Sequence, residues 1–168
     1  LFMEYLEGDI MPPLPLIDLG SIDLNRVLYD QEAIYKINPH RYEMVQLNGV
    51  VYQDAGQGLV VGYKDVTDKE FWVRGHIPGR PLMPGVIMIE AAAQLASFYV
   101  KILRQDDDRF IGFGGIEETK FRGTVTPGCR LYMVEKLLEN RPRRFRCAAQ
   151  GFVNGQMVFE TVIVGMPI

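Results

Sequence analysis

The stretch "RGHIPGRPLMPGVIMIEAAAQLASFYV", residues 74–100, decides the fold because it joins a stiff loop to one long apolar segment. Pro84 suits the first turn of a helix, where a backbone N–H would have no intrahelical partner. From Val86 to about Arg104 no glycine or proline interrupts the chain, which predicts a single long helix. This helix is apolar around most of its circumference, so we expect other structure to wrap around it.

The rest of the chain predicts the strands that supply this wrapping. Two β-like segments, 43–54 and 58–66, precede the helix and are joined by the turn-prone "AGQG". A short helix is predicted over 24–35, capped by Asp23 or Ser21. Asn154-Gly155 is a strong signal for a tight hairpin. Further β-rich segments follow the long helix at 109–123, 130–140, 144–153 and 156–165. The order of elements predicts an α+β fold, and an antiparallel sheet wrapped around one helix is the hot-dog architecture.

Composition limits the class of protein. The chain has 168 residues, which suits one compact domain, and a net charge of -3, which offers no polycationic field for nucleic acid. Cys129 and Cys147 do not suggest a disulfide scaffold, and with only two histidines we expect no metal site.

The N-terminal residues carry three acids and lack the basic start and apolar core of a signal peptide. No apolar run reaches the ~18 residues of a membrane span. We therefore expect a cytoplasmic protein with no membrane association.

A polar stripe runs along the predicted helix, since Glu90, Gln94, Ser97 and Lys101 fall on one face at 100° per residue. Burying a carboxylate in apolar surroundings costs several kcal/mol unless it is paired or neutralised. One interpretation is a hydrogen-bonded seam that orients the helix, with Glu90 paired to a lysine or arginine. The other is a catalytic carboxyl, and the stripe alone does not separate the two.

His76 favours the catalytic interpretation. A loop stiffened by prolines holds a side chain in place, which catalysis needs and a surface histidine does not. Gly85 lets a substrate approach the start of the helix, where unpaired N–H groups carry partial positive charge. An imidazole, a carboxyl and an oxyanion-binding amide together suit proton transfer next to a carbonyl. The prolines that stiffen this loop are Pro78, Pro81 and Pro84.

The segment "FWVRGHIPGRPLMPGVIMIEAAAQ" resembles the 3-hydroxyacyl-acyl carrier protein dehydratases of bacterial fatty-acid synthesis. Their usual form is GHFPG-x-P-x-MPG-V followed by an E-A-x-A-Q helix. "NPHRY" at 38–42 and "KFRGTVTPG" at 120–128 are similar to further motifs of that family. The resemblance covers about 30–168, so we predict an N-terminal extension at 1–29 and a hot-dog dehydratase domain at 30–168.

The resemblance implies that His76 and Glu90 are the catalytic pair. His76 would transfer the proton at the alpha carbon, Glu90 would assist departure of the 3-hydroxyl as water, and the Gly85 amide would bind the thioester oxygen. It implies no cofactor, because the substrate is carried on the phosphopantetheine of acyl carrier protein. It also implies a homodimer, in which His76 of one subunit faces Glu90 of the other, or a hexamer built as a trimer of dimers.

Several alternatives stay open from the residues. The chain departs from the family pattern at Ile77, where phenylalanine is usual, and at Asn48-Gly49, so fatty-acid, polyketide or other lipid synthesis all remain. A hot-dog thioesterase and a silent acyl-binding or scaffold subunit are the other two functions. The intact GHxPG and MPG motifs with Glu90 argue against the first, and the retained histidine and glutamate argue against the second.

Two sets of basic residues are candidates for contact with the acidic carrier protein. Arg74, Lys120 and Arg122 are the first choice. The cluster in "NRPRRFR", comprising Arg141, Arg143, Arg144 and Arg146, is interpreted as a solvated hairpin tip. His40 in "NPHRY" is interpreted as a structural histidine that packs at the entry to the first strand.

Overall fold

The computed structural model describes residues 13–168. The first 12 residues of the predicted N-terminal extension lie outside this part. Six strands form one sheet in the order β1-β2-β4-β5-β6-β3, with every neighbouring pair antiparallel. The helices and strands are α1 (Gln31–Tyr35), β1 (Gly49–Asp54), β2 (Leu59–Asp65), α2 (Gly85–Leu103), β3 (Ile111–Phe121), β4 (Arg130–Arg141), β5 (Arg144–Val153) and β6 (Gln156–Pro167).

The helix α2 lies in the core against one face of the sheet, which we call the inner face. Its small residues Ala91, Ala92 and Ala96 are fully buried, so the backbone of α2 comes close to the strands. By length and composition α2 could cross a membrane, yet more than half of its apolar stretch is buried within the fold. Pro84 occupies the N-cap rather than the first turn. The predicted hot-dog fold is confirmed, with α2 as its central helix.

The helix predicted over 24–35 is wrong in its first half. Only Gln31–Tyr35 is helical, and its cap is Asp30, whose side chain accepts from the Ala33 N–H. The N–H groups of Leu28 and Tyr29 both donate to the carbonyl of Val50 at the edge of the sheet. These bonds hold the chain extended beside β1, so a contact distant in sequence overrides local helix propensity.

The strand predicted from residue 43 begins only at Gly49. In the preceding segment, the Gln46 N–H donates to Gln94 Oε1 and the Met44 carbonyl accepts from Gln94 Nε2. At Met44 and Gln46 the backbone is therefore bonded to a helix side chain, and bonding to the β2 backbone begins only at Asn48, whose N–H donates to the Tyr63 carbonyl. The other strands match their predictions within two residues. The predicted β5–β6 hairpin is confirmed, with positive φ at Asn154 (49°) and Gly155 (77°).

The N-terminal segment covers the outer face of the sheet. The Leu16 N–H donates to Gln150 Oε1 at 2.8 Å, and Gln150 Nε2 donates back to the Leu14 carbonyl at 3.2 Å. This segment contributes to a second apolar cluster together with Val51, Val61, Tyr63, Val134 and Phe152. Apolar residues between Leu16 and Leu24 thus pack onto the sheet, while a family boundary at residue 29 stays a prediction.

One carboxyl is buried in the main core without a partner. Glu135 of β4 is fully buried. It lies two and four residues after Met133 and Leu131, so its side chain shares the inner face of the sheet with theirs. Neither carboxyl oxygen has a hydrogen-bond partner among the described residues. Burial raises the pKa of this carboxyl well above its usual value. The same environment, with Glu135 nearby, raises the pKa of the Cys147 thiol.

Candidate active site

A cavity of about 110 Å³ opens between α2 and the ends of β3, β5 and β6. Glu90, Gln94 and Ser97 of the predicted polar stripe line its helix side, together with Ala93. The facing wall is apolar and comes from three strands. Its lining residues are Phe110, Ile111, Gly112, Phe113, Phe145, Ile163, Val164 and Gly165, and His40 completes the cavity.

Gln94 holds the Glu90 carboxyl in this cavity. Its Nε2 donates to Glu90 Oε1 at 2.7 Å and to the Met44 carbonyl at 2.7 Å, while its Oε1 accepts from the Gln46 N–H at 2.9 Å. The amide is buried and every one of these bonds fixes its orientation. The predicted hydrogen-bonded seam therefore exists, and it positions the carboxyl instead of neutralising it with a lysine or arginine.

His40 is the imidazole next to Glu90 within the chain. Its Nε2 lies 3.5 Å from Glu90 Oε1, and both side chains are about one quarter exposed. The sequence interpretation assigned His40 only a packing role and did not place it in this cavity. The "NPHRY" motif was the signal, but nothing in its spacing from Glu90 indicated that the two would meet.

His76 lies in the exposed loop before α2. Its backbone N–H donates to the Trp72 carbonyl at 2.7 Å, and its Nδ1 lies 2.8 Å from the Leu82 carbonyl. The loop therefore fixes both the backbone and one ring nitrogen, and these bonds do not use Nε2. In the part of the chain that the structure describes, His76 does not line the cavity around Glu90. One subunit alone does not bring the predicted pair together.

Gly85 is the first residue of α2, as the predicted oxyanion role requires. The first N–H groups of a helix have no intrahelical acceptor and can bind an oxygen. The ring of Phe121 occupies the space beside Gly85, because an added Cβ would lie 2.7 Å from Phe121 Cζ. The absence of a side chain at Gly85 thus permits this aromatic ring to close over the start of the helix.

The three basic residues predicted to contact the carrier protein differ in whether their charge is exposed or already paired with an acid. Arg74 and Lys120 are exposed, whereas Arg122 forms an ion pair with Glu160 across to β6. The second basic cluster lies at the β4–β5 turn. Three of its members pair with acids of the same sheet: Arg141 and Arg144 with Glu139, and Arg146 with Glu117.

A FabA-like domain model matches residues 38–162, and the chain belongs to that family. It is 34% identical over 140 residues to a 3-hydroxyacyl-acyl-carrier-protein dehydratase FabZ of Erythrobacter litoralis, covering 82% of this chain and 92% of the relative. It is 36% identical over 140 residues to a protein of the same name from Sorangium cellulosum, covering 80% of this chain and 87% of the relative.

Solved structures support the fold. The dehydratase heterocomplex ApeI:P from Xenorhabdus doucetiae aligns with a TM-score of 0.68 at 16% identity, covering 80% of this chain and 90% of that one. A hypothetical thioesterase with coenzyme A from Streptococcus pneumoniae aligns with a TM-score of 0.54 at 9% identity, covering 71% and 84%. Dehydratases and thioesterases thus share this architecture, and the site residues must distinguish them.

Proposed function

We propose that this protein converts 3-hydroxyacyl thioesters on acyl carrier protein to trans-2-enoyl thioesters and water, in fatty-acid synthesis. The observation that carries this proposal is the Glu90 carboxyl, held by Gln94 in a largely apolar cavity, in a chain that is 34% identical to a relative named as a dehydratase. A thioesterase would instead need water activated at the thioester carbon, and the products of the incubation described below distinguish the two reactions.

The chemistry is a β-elimination. His76 removes the proton at the alpha carbon, and the electrons of that C–H bond form the new double bond. The C–O bond at carbon 3 breaks, and Glu90 supplies the proton with which the hydroxyl leaves as water. The Gly85 N–H binds the thioester oxygen while negative charge builds up on it. The electrons balance without a cofactor, and the catalyst is restored when His76 releases its proton to solvent and Glu90 takes one up.

The site is completed by a second copy of the chain. Within residues 13–168, His76 does not line the cavity around Glu90, and a dimer would bring the imidazole of one copy to the carboxyl of the other. β3 is an edge strand of 11 residues with Phe113, Ile116 and Phe121 about half exposed. An exposed apolar edge of this kind is suited to pairing with another chain. A homodimer through β3 would complete the site with a second copy and would cover this apolar edge. A trimer of such dimers would form the hexamer.

The carrier protein binds near the catalytic loop. Arg74, two residues before His76, is exposed, as is Lys120. Since Arg122 is engaged with Glu160, it contributes less to a carrier contact than its sequence position suggested. The free Cys129 and Cys147 are consistent with a reducing compartment, and we place the enzyme in the cytoplasm.

The test is a single incubation with a 3-hydroxyacyl pantetheine thioester. A dehydratase yields enoyl product, a thioesterase yields free thiol, and a silent subunit yields neither. Glu90→Gln keeps an acceptor for Gln94, so it should fold normally and lose ~100- to 10,000-fold in dehydration rate. Glu32→Gln, at an exposed position of α1, is the control and should keep full activity. Free thiol, or full activity in Glu90→Gln, would refute the proposal.

A further inference from the structure

A buried ion pair joins β2 to the loop that leads to His76. Lys64 is next to the last residue of β2, and its Nζ lies 3.0 Å from Glu70 Oε1. Both side chains are less than one tenth exposed. Replacing a buried ion pair with apolar residues is often neutral or stabilising, because removing two charges from water is costly. Stability therefore does not explain why this pair is buried, and its contacts indicate another role.

The ammonium of Lys64 also holds the segment that orients Glu90. Lys64 Nζ donates to the carbonyl of Val45 at 3.2 Å. The N–H of the same peptide group, which belongs to Gln46, donates to Gln94 Oε1 at 2.9 Å. Gln94 Nε2 in turn donates to Glu90 Oε1 at 2.7 Å. The position of the carboxyl therefore depends on a peptide group that Lys64 holds in place.

The Glu70 end of the pair holds the loop that carries His76. Glu70 Oε1 accepts from the N–H of Thr67 at 3.2 Å, and the Glu70 carbonyl accepts from the N–H of Val73 at 3.1 Å. Trp72, within this turn, is 4% exposed in the core, and its carbonyl accepts from the His76 N–H at 2.7 Å. The position of the His76 backbone therefore depends on the turn that Glu70 anchors.

We propose that Lys64 is a positioning residue that holds both the carboxyl and the imidazole of the site through one buried ammonium. This inference rests on the proposed function, since it takes Glu90 and His76 as the reacting pair. Lys64 acts on the first through the Val45 carbonyl and on the second through Glu70. In the proposed dimer, the Glu90 and His76 of one subunit serve different sites, so each Lys64 supports both sites.

The kinetic test uses Lys64→Met, which removes the ammonium and keeps an unbranched apolar side chain. With a 3-hydroxybutyryl pantetheine thioester, kcat should fall and KM should change little, because the variant moves the reacting groups without removing a substrate contact. A displacement of about 1 Å at a reacting group costs up to about 100-fold in rate, and the expected loss in kcat is of that order. An unchanged kcat, or a change in KM alone, would overturn the inference.

A double variant separates positioning from stability. Lys64→Met alone leaves the Glu70 carboxylate buried without its partner, which destabilises the fold. Lys64→Met/Glu70→Met removes both charges, so the midpoint of urea unfolding should return toward that of the wild type while kcat stays low. If kcat recovered together with stability, Lys64 would only balance Glu70. The matched control is Arg130→Met, which breaks the ion pair of Asp65, the neighbouring residue of β2, and should keep the wild-type kcat. An equal loss in this control would assign the effect to general loosening.

Mixed dimers test the two contacts of Lys64 separately. Co-refolding His76→Ala with Glu90→Ala chains leaves one intact site in each mixed dimer. Lys64→Met on the His76→Ala chain then alters only the chain that supplies Glu90 to that site, and on the Glu90→Ala chain only the chain that supplies His76. The rate per mixed dimer, counted by native mass spectrometry, should fall in both arrangements. A fall in only one arrangement would restrict Lys64 to that segment and refute its joint role.

Amide hydrogen exchange separates this inference from the proposed function. Lys64→Met should speed exchange at residues 44–48 and 70–77 more than in the β5–β6 hairpin, because both segments lose a shared anchor. Faster exchange in both segments of a protein that dehydrates nothing would keep the anchoring role and reject the proposed function. Dehydration without recovery in the mixtures would reject the shared site, and exchange would then decide the role of Lys64. Unchanged exchange in either segment would overturn the inference.

Discussion

Replacing Glu135 with glutamine should change how the stability of the protein depends on pH. The Glu135 carboxyl is fully buried, and neither oxygen has a partner among the described residues. A buried carboxylate without a partner is much less stable than the neutral acid, so burial raises the pKa of Glu135 well above its usual value. Glutamine keeps the shape of the neutral acid and cannot ionise.

The direction follows from the raised pKa. The folded protein retains the Glu135 proton after the unfolded chain, with a glutamate pKa of about 4.3, has lost it. The contribution of this group to stability is complete below pH ~4.3 and falls as pH rises toward the pKa of the folded state. The loss is about 1.4 kcal/mol per pH unit. Between pH 5 and pH 7 the wild type should lose up to about 3 kcal/mol relative to Glu135→Gln.

Urea unfolding from pH 5 to pH 8 measures this difference in the free energy of unfolding. The protein concentration is held constant, because association also changes apparent stability. Glu139, four residues along the same strand, is the control. A hydrogen bond from Arg144 lowers the pKa of Glu139, so the ionised carboxylate stabilises the fold, and the wild type loses this contribution only as pH falls. Glu139→Gln should therefore lower the free energy of unfolding. If wild type and Glu135→Gln had parallel pH profiles, the carboxyl would be ionised and paired in the native protein, and the reasoning would be wrong.

Three further predictions concern the proposed assembly, the carrier contact and the Arg122–Glu160 ion pair. Co-refolding His76→Ala with Glu90→Ala chains should restore activity. Random pairing makes about half of the dimers mixed, and each mixed dimer has one intact site. If no mixture recovers activity, both residues belong to the site of one subunit. Arg74→Glu should reduce kcat/KM for carrier-protein substrates far more than for pantetheine thioesters, with a difference that shrinks as salt is added. Equal losses on both substrates in Arg74→Glu would assign Arg74 to the pocket. Arg122→Glu should instead lower the free energy of unfolding, since it places a second acid beside Glu160.

The sequence alone determined the elements whose signals are local. The uninterrupted apolar run predicted α2, and Asn154-Gly155 predicted the last hairpin, because a helix or a two-residue turn depends on residues within a few positions of one another. The periodicity of α2 also placed Glu90 and Gln94 on one face, where they form a hydrogen bond.

Only the tertiary structure decided the features that depend on contacts between distant parts of the chain. Residues 24–30 and 43–48 had local patterns typical of a helix and a strand, but bonds to Val50 and Gln94 decided their conformation. The approach of His40 to Glu90 and the solitary burial of Glu135 arise in the same way. In each case a partner 21 or more residues away, or the absence of any partner among the described residues, set the energy of the group, and no local pattern records that.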